Sequence, residues 1–214
     1  MKSALSFAAV GLVLAGATAP AFATALVAGT TVNSVDTVGA PFGGALLASA
    51  STSISNLSYS GVARSAVYRT GTGLDFYYQF TNDLSSVNGI ERFTGYDFGS
   101  LGVAGAVSVY QTAAAFGIFS AGTSTADGAD RTSLGVIGFS FSPDFHSKIL
   151  PGTTSYTEIV RTDARHYVAG NFGLLDGIAA NAQGFAPAVP EPGTFSLAAL
   201  GLLALGVTLR KRTR

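Results

Sequence analysis

Few side chains in this sequence are suited to catalysis or metal binding, and their spacing does not assemble them into a recognisable centre. The chain has no Cys and two His, His146 and His166, which excludes disulfides, thiolate chemistry and a His-x-x-x-His metal pair. Asp127 and Asp130 flank Gly-Ala, but an EF-hand calcium loop needs ligands at alternate positions and a distal Glu. We therefore expect a solvated turn there, no metal ion, no cofactor and no catalytic residue.

Hydrolysis of a glycoside would need two carboxyl groups facing each other across a cleft. Asp75, Glu91 and Glu158 are candidates, but the sequence does not rank them. There is no Gly-x-Ser-x-Gly elbow, and the run from Gly71 to Gly73 is not followed by the rest of a nucleotide-binding loop. The sequence thus favours a protein that is not an enzyme, with a secreted hydrolase as the third interpretation of its function.

Sugar binding is the second interpretation, because aromatic rings can stack on sugars. The chain has eight tyrosines and no Trp, which is the strongest platform of this kind. In a β-rich protein most tyrosines are instead half-buried strand residues. The tyrosines concerned are Tyr59, Tyr68, Tyr77, Tyr78, Tyr96, Tyr110, Tyr156 and Tyr167.

The elements that would position these residues are predicted to be β-strands. The clearest runs from Leu74 to Thr81 and alternates with a period of two, as a half-buried antiparallel strand does. One face carries Leu74, Phe76, Tyr78 and Phe80, and the other carries Asp75, Tyr77, Gln79 and Thr81. A second strand contains Ile137, Phe139 and Phe141 and ends at Pro143.

Further β-like runs and turn signals extend this pattern over most of the chain. The runs cover residues 46–54, 62–69, 90–98, 103–112, 114–119, 156–162 and 172–179, and the turns lie at residues 71–73, 88–89, 127–128, 151–152 and 176–177. Many short strands at this spacing predict an all-β protein, an antiparallel β-sandwich of the immunoglobulin-like or jelly-roll-like kind, over residues 24–180. Any helix within this body should be short.

The composition suits one folded body outside the cytoplasm. The chain has 214 residues, of which 11% are charged and 27 are Gly. All acidic residues except Glu191 lie between the two terminal segments, whereas five of the twelve basic residues lie in those segments. The body is therefore acidic, and no basic face is left for nucleic acid.

The N-terminus has the features of a secretory signal peptide. Met1 and Lys2 precede an apolar stretch over residues 4–17, and Ala21-Phe22-Ala23 is a small-x-small cleavage site. We predict a signal-peptide helix over residues 1–23 that directs the chain to the Sec export machinery and is removed after Ala23. The alternative, a first helix of the core, is weakened by Gly11, Gly16 and Pro20.

The C-terminus combines a proline motif, an apolar run and a basic tail. Residues 194–209 are uncharged and span about 24 Å as a helix, against about 30 Å for a bilayer core, so they predict one short transmembrane helix. Arg210, Lys211, Arg212 and Arg214 would then stop translocation and stay in the cytoplasm. Residues 181–189 are Ala-rich and predict a spacer. A buried C-terminal core helix would leave this basic tail unexplained.

Pro190-Glu191-Pro192, followed by the apolar run and the basic tail at the extreme C-terminus, resembles the PEP-CTERM sorting signal of Gram-negative bacteria. The resemblance covers residues 190–214. It implies that a membrane transpeptidase, exosortase, recognises this segment and cuts near Pro-Glu-Pro, so that the membrane anchor is transient. It also implies a host that makes exopolysaccharide and lives in biofilms.

These features together predict an exported protein with a structural or interaction role at the cell surface or in the extracellular polysaccharide matrix. A carbohydrate-binding module for exopolysaccharide is the alternative. Pro190, Glu191 and Pro192 would be the sorting motif, and Ala21 and Ala23 would define the signal cleavage.

Overall fold

The structure, a computed structural model, describes residues 24–95, 98–102, 106–141 and 148–188. These residues form thirteen β-strands and one short 3-10 helix, Phe98–Leu101. The strands are β1 (Thr24–Ala25), β2 (Thr30–Val32), β3 (Asp36–Thr37), β4 (Ala45–Ser55), β5 (Ser60–Arg69), β6 (Leu74–Asn82), β7 (Arg92–Gly95), β8 (Val107–Thr112), β9 (Gly128–Arg131), β10 (Ile137–Ser140), β11 (Thr157–Thr162), β12 (His166–Asp176) and β13 (Ile178–Ala188).

The strands form two sheets. The seven-stranded sheet has the order β1-β8-β11-β6-β5-β4, and β3 joins it beside β8. The six-stranded sheet has the order β13-β12-β7-β10-β9-β2. All pairings between these strands are antiparallel except that of β3 with β8. The prediction of an all-β, antiparallel protein is therefore confirmed for the described residues.

One apolar core joins the two sheets. Phe76 of β6 and Phe139 of β10 are both fully buried in it. The rings of Tyr78 and Phe172, which come from opposite sheets, lie 5.2 Å apart between centroids. Side chains that interdigitate between two sheets are the arrangement expected of a sandwich.

Strand β6 is buried on both faces, so the prediction of a half-buried strand is wrong while the prediction of its two faces is confirmed. The even-numbered residues Leu74 to Phe80 face the core between the sheets. Tyr77, on the other face, belongs to a second cluster with Tyr110 and Ile159. Phe42 and residues 116–119 cover that cluster. The predicted strand over residues 114–119 is instead part of this cover, closed by a single bridge between Phe116 and Phe119.

The predicted spacer, residues 181–189, is wrong for residues 181–188. The chain turns at Gly177, whose φ of 65° favours glycine, and then continues as β13 to Ala188. Ala182, Phe185 and Ala186 are buried. Small side chains here allow β13 to pack closely on the core, and the same Ala-rich composition made the segment resemble a linker. The described body therefore continues at least to Ala188, beyond the predicted boundary at residue 180.

Candidate functional site

The residues predicted to direct sorting lie outside the described residues. This holds for Ala21 and Ala23 at the signal cleavage, Pro190, Glu191 and Pro192 in the motif, the apolar run at residues 194–209, and Arg210, Lys211, Arg212 and Arg214 in the tail. Among the described residues, no helix is long and apolar enough to cross a bilayer. What the structure does describe is the body immediately beside each terminal segment.

The C-terminal junction is a tightly held strand. β13 pairs with β12 along its whole length, ending at the pair His166–Ala188. The hydroxyl of Tyr78 donates to the carbonyl of Phe185 (2.8 Å), and the hydroxyl of Ser100 donates to the carbonyl of Pro187 (2.7 Å). Proline is tolerated here because β13 is an edge strand. Only Val189 lies between this strand and Pro190.

The N-terminal junction is equally direct. β1 begins at Thr24, the first residue after the predicted cleavage site. The Thr24 hydroxyl donates to Asp36 Oδ2 (2.6 Å), and the backbone N–H of Leu26 donates to the carbonyl of Val107 (2.9 Å). The Leu26 side chain is buried in the core. Cleavage after Ala23 would therefore remove the leader and keep each of these contacts.

Asp75 is a buried carboxylate on the outer face of the seven-stranded sheet. Its Oδ1 lies 3.2 Å from Nε of Arg161, which is an ion pair without hydrogen-bond alignment. The Arg161 guanidinium also stacks 4.1 Å over the ring of Phe42. Burial raises the pKa of Asp75 to about 6, although the charge of Arg161 opposes this rise. The group is thus a structural ion pair beneath an aromatic cover.

Glu158 is a second buried carboxyl group, on the opposite face of the same sheet. It pairs across the strands with Tyr78 and therefore shares the core face. The residue is 0% exposed, and neither carboxyl oxygen has a hydrogen-bond partner in the described structure. Burial raises the pKa of Glu158 well above its usual range. Burial therefore favours the protonated, neutral form of this carboxyl group in the folded protein.

Glu158→Gln is expected to stabilise the processed body at pH 8 and to change its stability little at pH 4. Because the folded pKa of Glu158 is raised, its contribution to stability is lost as pH rises above the unfolded value near 4.5. The loss is at most about 1.4 kcal/mol per pH unit until the folded pKa is reached. Urea unfolding at both pH values measures the difference.

The exposed Asp163→Asn is the matched control for this prediction, since it also removes a carboxylate, from the residue directly after β11. It should change the free energy of unfolding by less than about 0.5 kcal/mol. A gain for Glu158→Gln that is as large at pH 4 as at pH 8 would show that the carboxyl group is not the cause.

The three carboxylates considered for hydrolysis do not face one another. Asp75 and Glu158 lie on opposite faces of one sheet. Glu91 lies outside the strands and forms an ion pair with Lys148, which also lies 3.6 Å from Asp176. Each carboxylate is thus committed to a local structural contact or to the core.

The solvated turn predicted at residues 127–130 is wrong, because Gly128–Arg131 is strand β9. Asp130 forms a 2.7 Å ion pair with Arg92, whose guanidinium also donates to the Ser140 hydroxyl (3.0 Å). Asp127 Oδ2 is buried and has no hydrogen-bond partner in the described part, and the residue is one of those that line a cavity of about 320 Å³. The turn signal at Asp127-Gly128 marks the start of a strand instead.

The described residues contain no group of three His, Cys, Asp or Glu placed to hold a metal ion. His166 is exposed at the start of β12, and His146 lies outside the described residues. The absence of metal and cofactor stays a prediction for the whole chain.

The described tyrosines offer no exposed platform for a sugar. Tyr59, Tyr77, Tyr78 and Tyr110 are buried, and the other described tyrosines are at least partly buried. A cavity of about 140 Å³ lies near the loop over residues 55–60 and is lined mainly by serines. Within this loop Asn56 Oδ1 accepts the backbone N–H groups of Ser58 and Tyr59, which is an Asx turn.

One family model matches the chain, at residues 188–212, and it describes the PEP-CTERM protein-sorting motif. The match includes the Pro-Glu-Pro motif, the apolar run and most of the basic tail, and it confirms the resemblance. It begins at Ala188, the last residue of β13. A motif of this kind supports export, transient passage through the membrane, and exosortase as the processing partner. No curated protein and no solved structure matches the chain.

Proposed function

We propose that this protein is exported, held in the cytoplasmic membrane by residues 194–209, cut near Pro190-Glu191-Pro192 by exosortase, and delivered to the cell surface or the polysaccharide matrix. The observation that carries this proposal is the sorting-motif match at residues 188–212. In the matrix, the two-sheet body acts as a structural or interaction component without catalysis.

The form of the body supports release in a folded state. Both termini of the described body are strands, β1 and β13, and each is hydrogen-bonded into its sheet. Removal of both terminal segments would therefore leave every described strand complete. The buried carboxylates and buried tyrosines favour a structural role over hydrolysis and over sugar binding by aromatic stacking.

The experiment that tests this proposal is the intact mass of the protein recovered from the cell surface and, separately, from membranes. The surface form is expected to begin at Thr24 and to end between Ala188 and Thr194, apart from any glycan. The membrane form should still carry residues 194–214. Surface protein that keeps its C-terminal segment would contradict processing, and a chain that starts at Met1 would contradict export through a signal peptide.

A further inference from the structure

The tether between the body and its membrane segment is short. Only residues 189–193 separate the end of β13 from the apolar run that begins at Thr194. An extended chain covers at most about 3.6 Å per residue, so Ala188 lies within about 22 Å of Thr194. The head-group region beside the hydrocarbon core is itself roughly 5–8 Å thick. If residues 194–209 span the membrane as proposed above, the body lies close to the head groups.

The tether could lengthen only if residues of β13 detached from the body, which would disrupt the core. Ala186 is 0% exposed, and Phe185 packs edge-on against Tyr167, with ring centroids 6.0 Å apart. The hydroxyls of Tyr78 and Ser100 donate hydrogen bonds to β13 and hold the C-terminal part of this strand in place. The end of the body at which β13 finishes is therefore the end that faces the membrane.

Three of the described loops at this end of the body, which we call the exit end, bear on its contact with the membrane. The turn at residues 70–73 joins β5 to β6, and residues 163–165 join β11 to β12, directly before the His166–Ala188 pair. The turn at residues 132–136 reaches the same end through the 3-10 helix, because the N–H of Phe98 donates to the carbonyl of Gly135. Ser100 of that helix in turn binds Pro187.

The charges of the exit end differ from those of the opposite end. Arg69 and Arg165 are exposed there, and neither forms a salt bridge with any described residue. Asp163 is the exposed acid beside them. The opposite end carries Glu91 and Asp176, which contact Lys148, and also Asp83, which accepts a hydrogen bond from Ser60. The two unpaired arginines thus lie where the chain enters the membrane.

An exposed apolar side chain lies at the same end of the body as these arginines. Leu134, at the tip of the turn between β9 and β10, is 84% exposed. Basic side chains beside a protruding apolar side chain form the combination that binds the interface of an anionic membrane.

We propose that the exit end lies on anionic phospholipid head groups while the protein is tethered, with Arg69 and Arg165 contacting phosphates and Leu134 entering the interface. This inference rests on the proposed function, because it requires the membrane-spanning segment. Two arginines and one leucine bind a membrane too weakly to retain an untethered protein. The contact therefore orients the precursor for cleavage and is lost once the tether is cut.

The absence of Cys from the chain allows a clean test with single labels. Thr72→Cys places a fluorophore at the exit end, and Ser85→Cys places one at the opposite end, both at exposed positions. The full-length chain is reconstituted in phosphatidylcholine vesicles with or without phosphatidylglycerol, with a quencher on the lipid head groups. In anionic vesicles we expect the label at position 72 to be quenched at least threefold more strongly than the label at position 85.

Two double variants distinguish the effect of the two arginines on quenching from the effect of net charge alone. Arg69→Gln with Arg165→Gln lowers the net charge by two and should reduce quenching at position 72 at least twofold in anionic vesicles. Ser51→Glu with Ser53→Glu makes the same change of charge at exposed positions in the middle of β4 and should leave quenching unchanged. Neither pair should change quenching in pure phosphatidylcholine vesicles.

Three results would overturn the proposal. Equal quenching at positions 72 and 85 would show that the exit end does not face the membrane. An equal loss in both charge variants would remove the role of the two arginines. Extraction of the whole protein from the vesicles by alkaline carbonate would overturn the membrane anchor, and with it both the proposed function and this contact.

Discussion

Replacement of Pro190-Glu191-Pro192 by three alanines is expected to abolish release of the protein while leaving its export intact. Two prolines fix φ and disfavour helix at the residues before them, so we expect an extended motif between the body and the apolar run. Alanine is the best helix former, so three alanines would favour an extension toward Val189 of the helix predicted for residues 194–209. The protease would then lose both its extended substrate and the carboxylate of Glu191.

Fractionation and intact mass measure this result. The variant should accumulate in the membrane as a chain from Thr24 to Arg214, because removal of the signal peptide does not depend on the motif. Pro187→Ala is the matched control, since it removes a proline three residues upstream that lies within β13. It should be released as the unchanged protein is. Normal release of the triple-alanine variant would rule out the motif as the recognition element.

The sorting signal was predictable from sequence because it does not depend on a fold. It is defined by the order of its parts along the chain, which are a Pro-Glu-Pro motif, an apolar run and a basic tail. The family model matches that same order. The alternation in β6 was predictable for a similar reason, since a period of two is local and assigns Phe76 and Tyr77 to opposite faces.

What covers each face of a strand depends on distant segments, and here the sequence was misleading. The outer face of β6 is covered by Phe42 and Phe116, which lie more than 30 residues away on either side and outside any strand. A period of two gives no information about such a cover. The available signal in the sequence was three aromatic residues outside the strands, Phe42, Phe116 and Phe119. Aromatic side chains in loops generally pack against an apolar surface.

The candidate site shows the same limit. Glu158 stands in a strand that the sequence predicted, yet its position on the core face follows from its pairing with Tyr78. The pairing partner of a strand depends on the strand order, which is not local information. The strand β13 was missed because alanine and glycine are not typical of strands, and only their burial against β12 makes the segment a strand.

Removal of β13 is expected to prevent the body from folding. A body that ends at Ala180 loses the buried Ala182, Phe185 and Ala186 and exposes the long edge of β12. Loss of the Phe185 side chain alone costs about 3–5 kcal/mol. The hydroxyls of Tyr78 and Ser65, which donate to the carbonyls of Phe185 and Gln183, would each lose an acceptor at a cost of about 1–3 kcal/mol. The total rivals the 5–15 kcal/mol by which a typical domain is stable.

The measurement compares bodies of residues 24–180 and 24–188 by circular dichroism and urea unfolding, with point variants that keep the length fixed. The longer body should unfold cooperatively and the shorter one should show no cooperative transition. Phe185→Ala in the longer body should lower the free energy of unfolding by about 3 kcal/mol or more, whereas Gln183→Ala, at an exposed position of the same strand, should change it by less than about 0.5 kcal/mol. A stable body of residues 24–180 would restore the spacer interpretation and permit a cut well upstream of the motif. If β13 is required, a folded released protein demands cleavage after Ala188, within the few residues between that strand and the membrane.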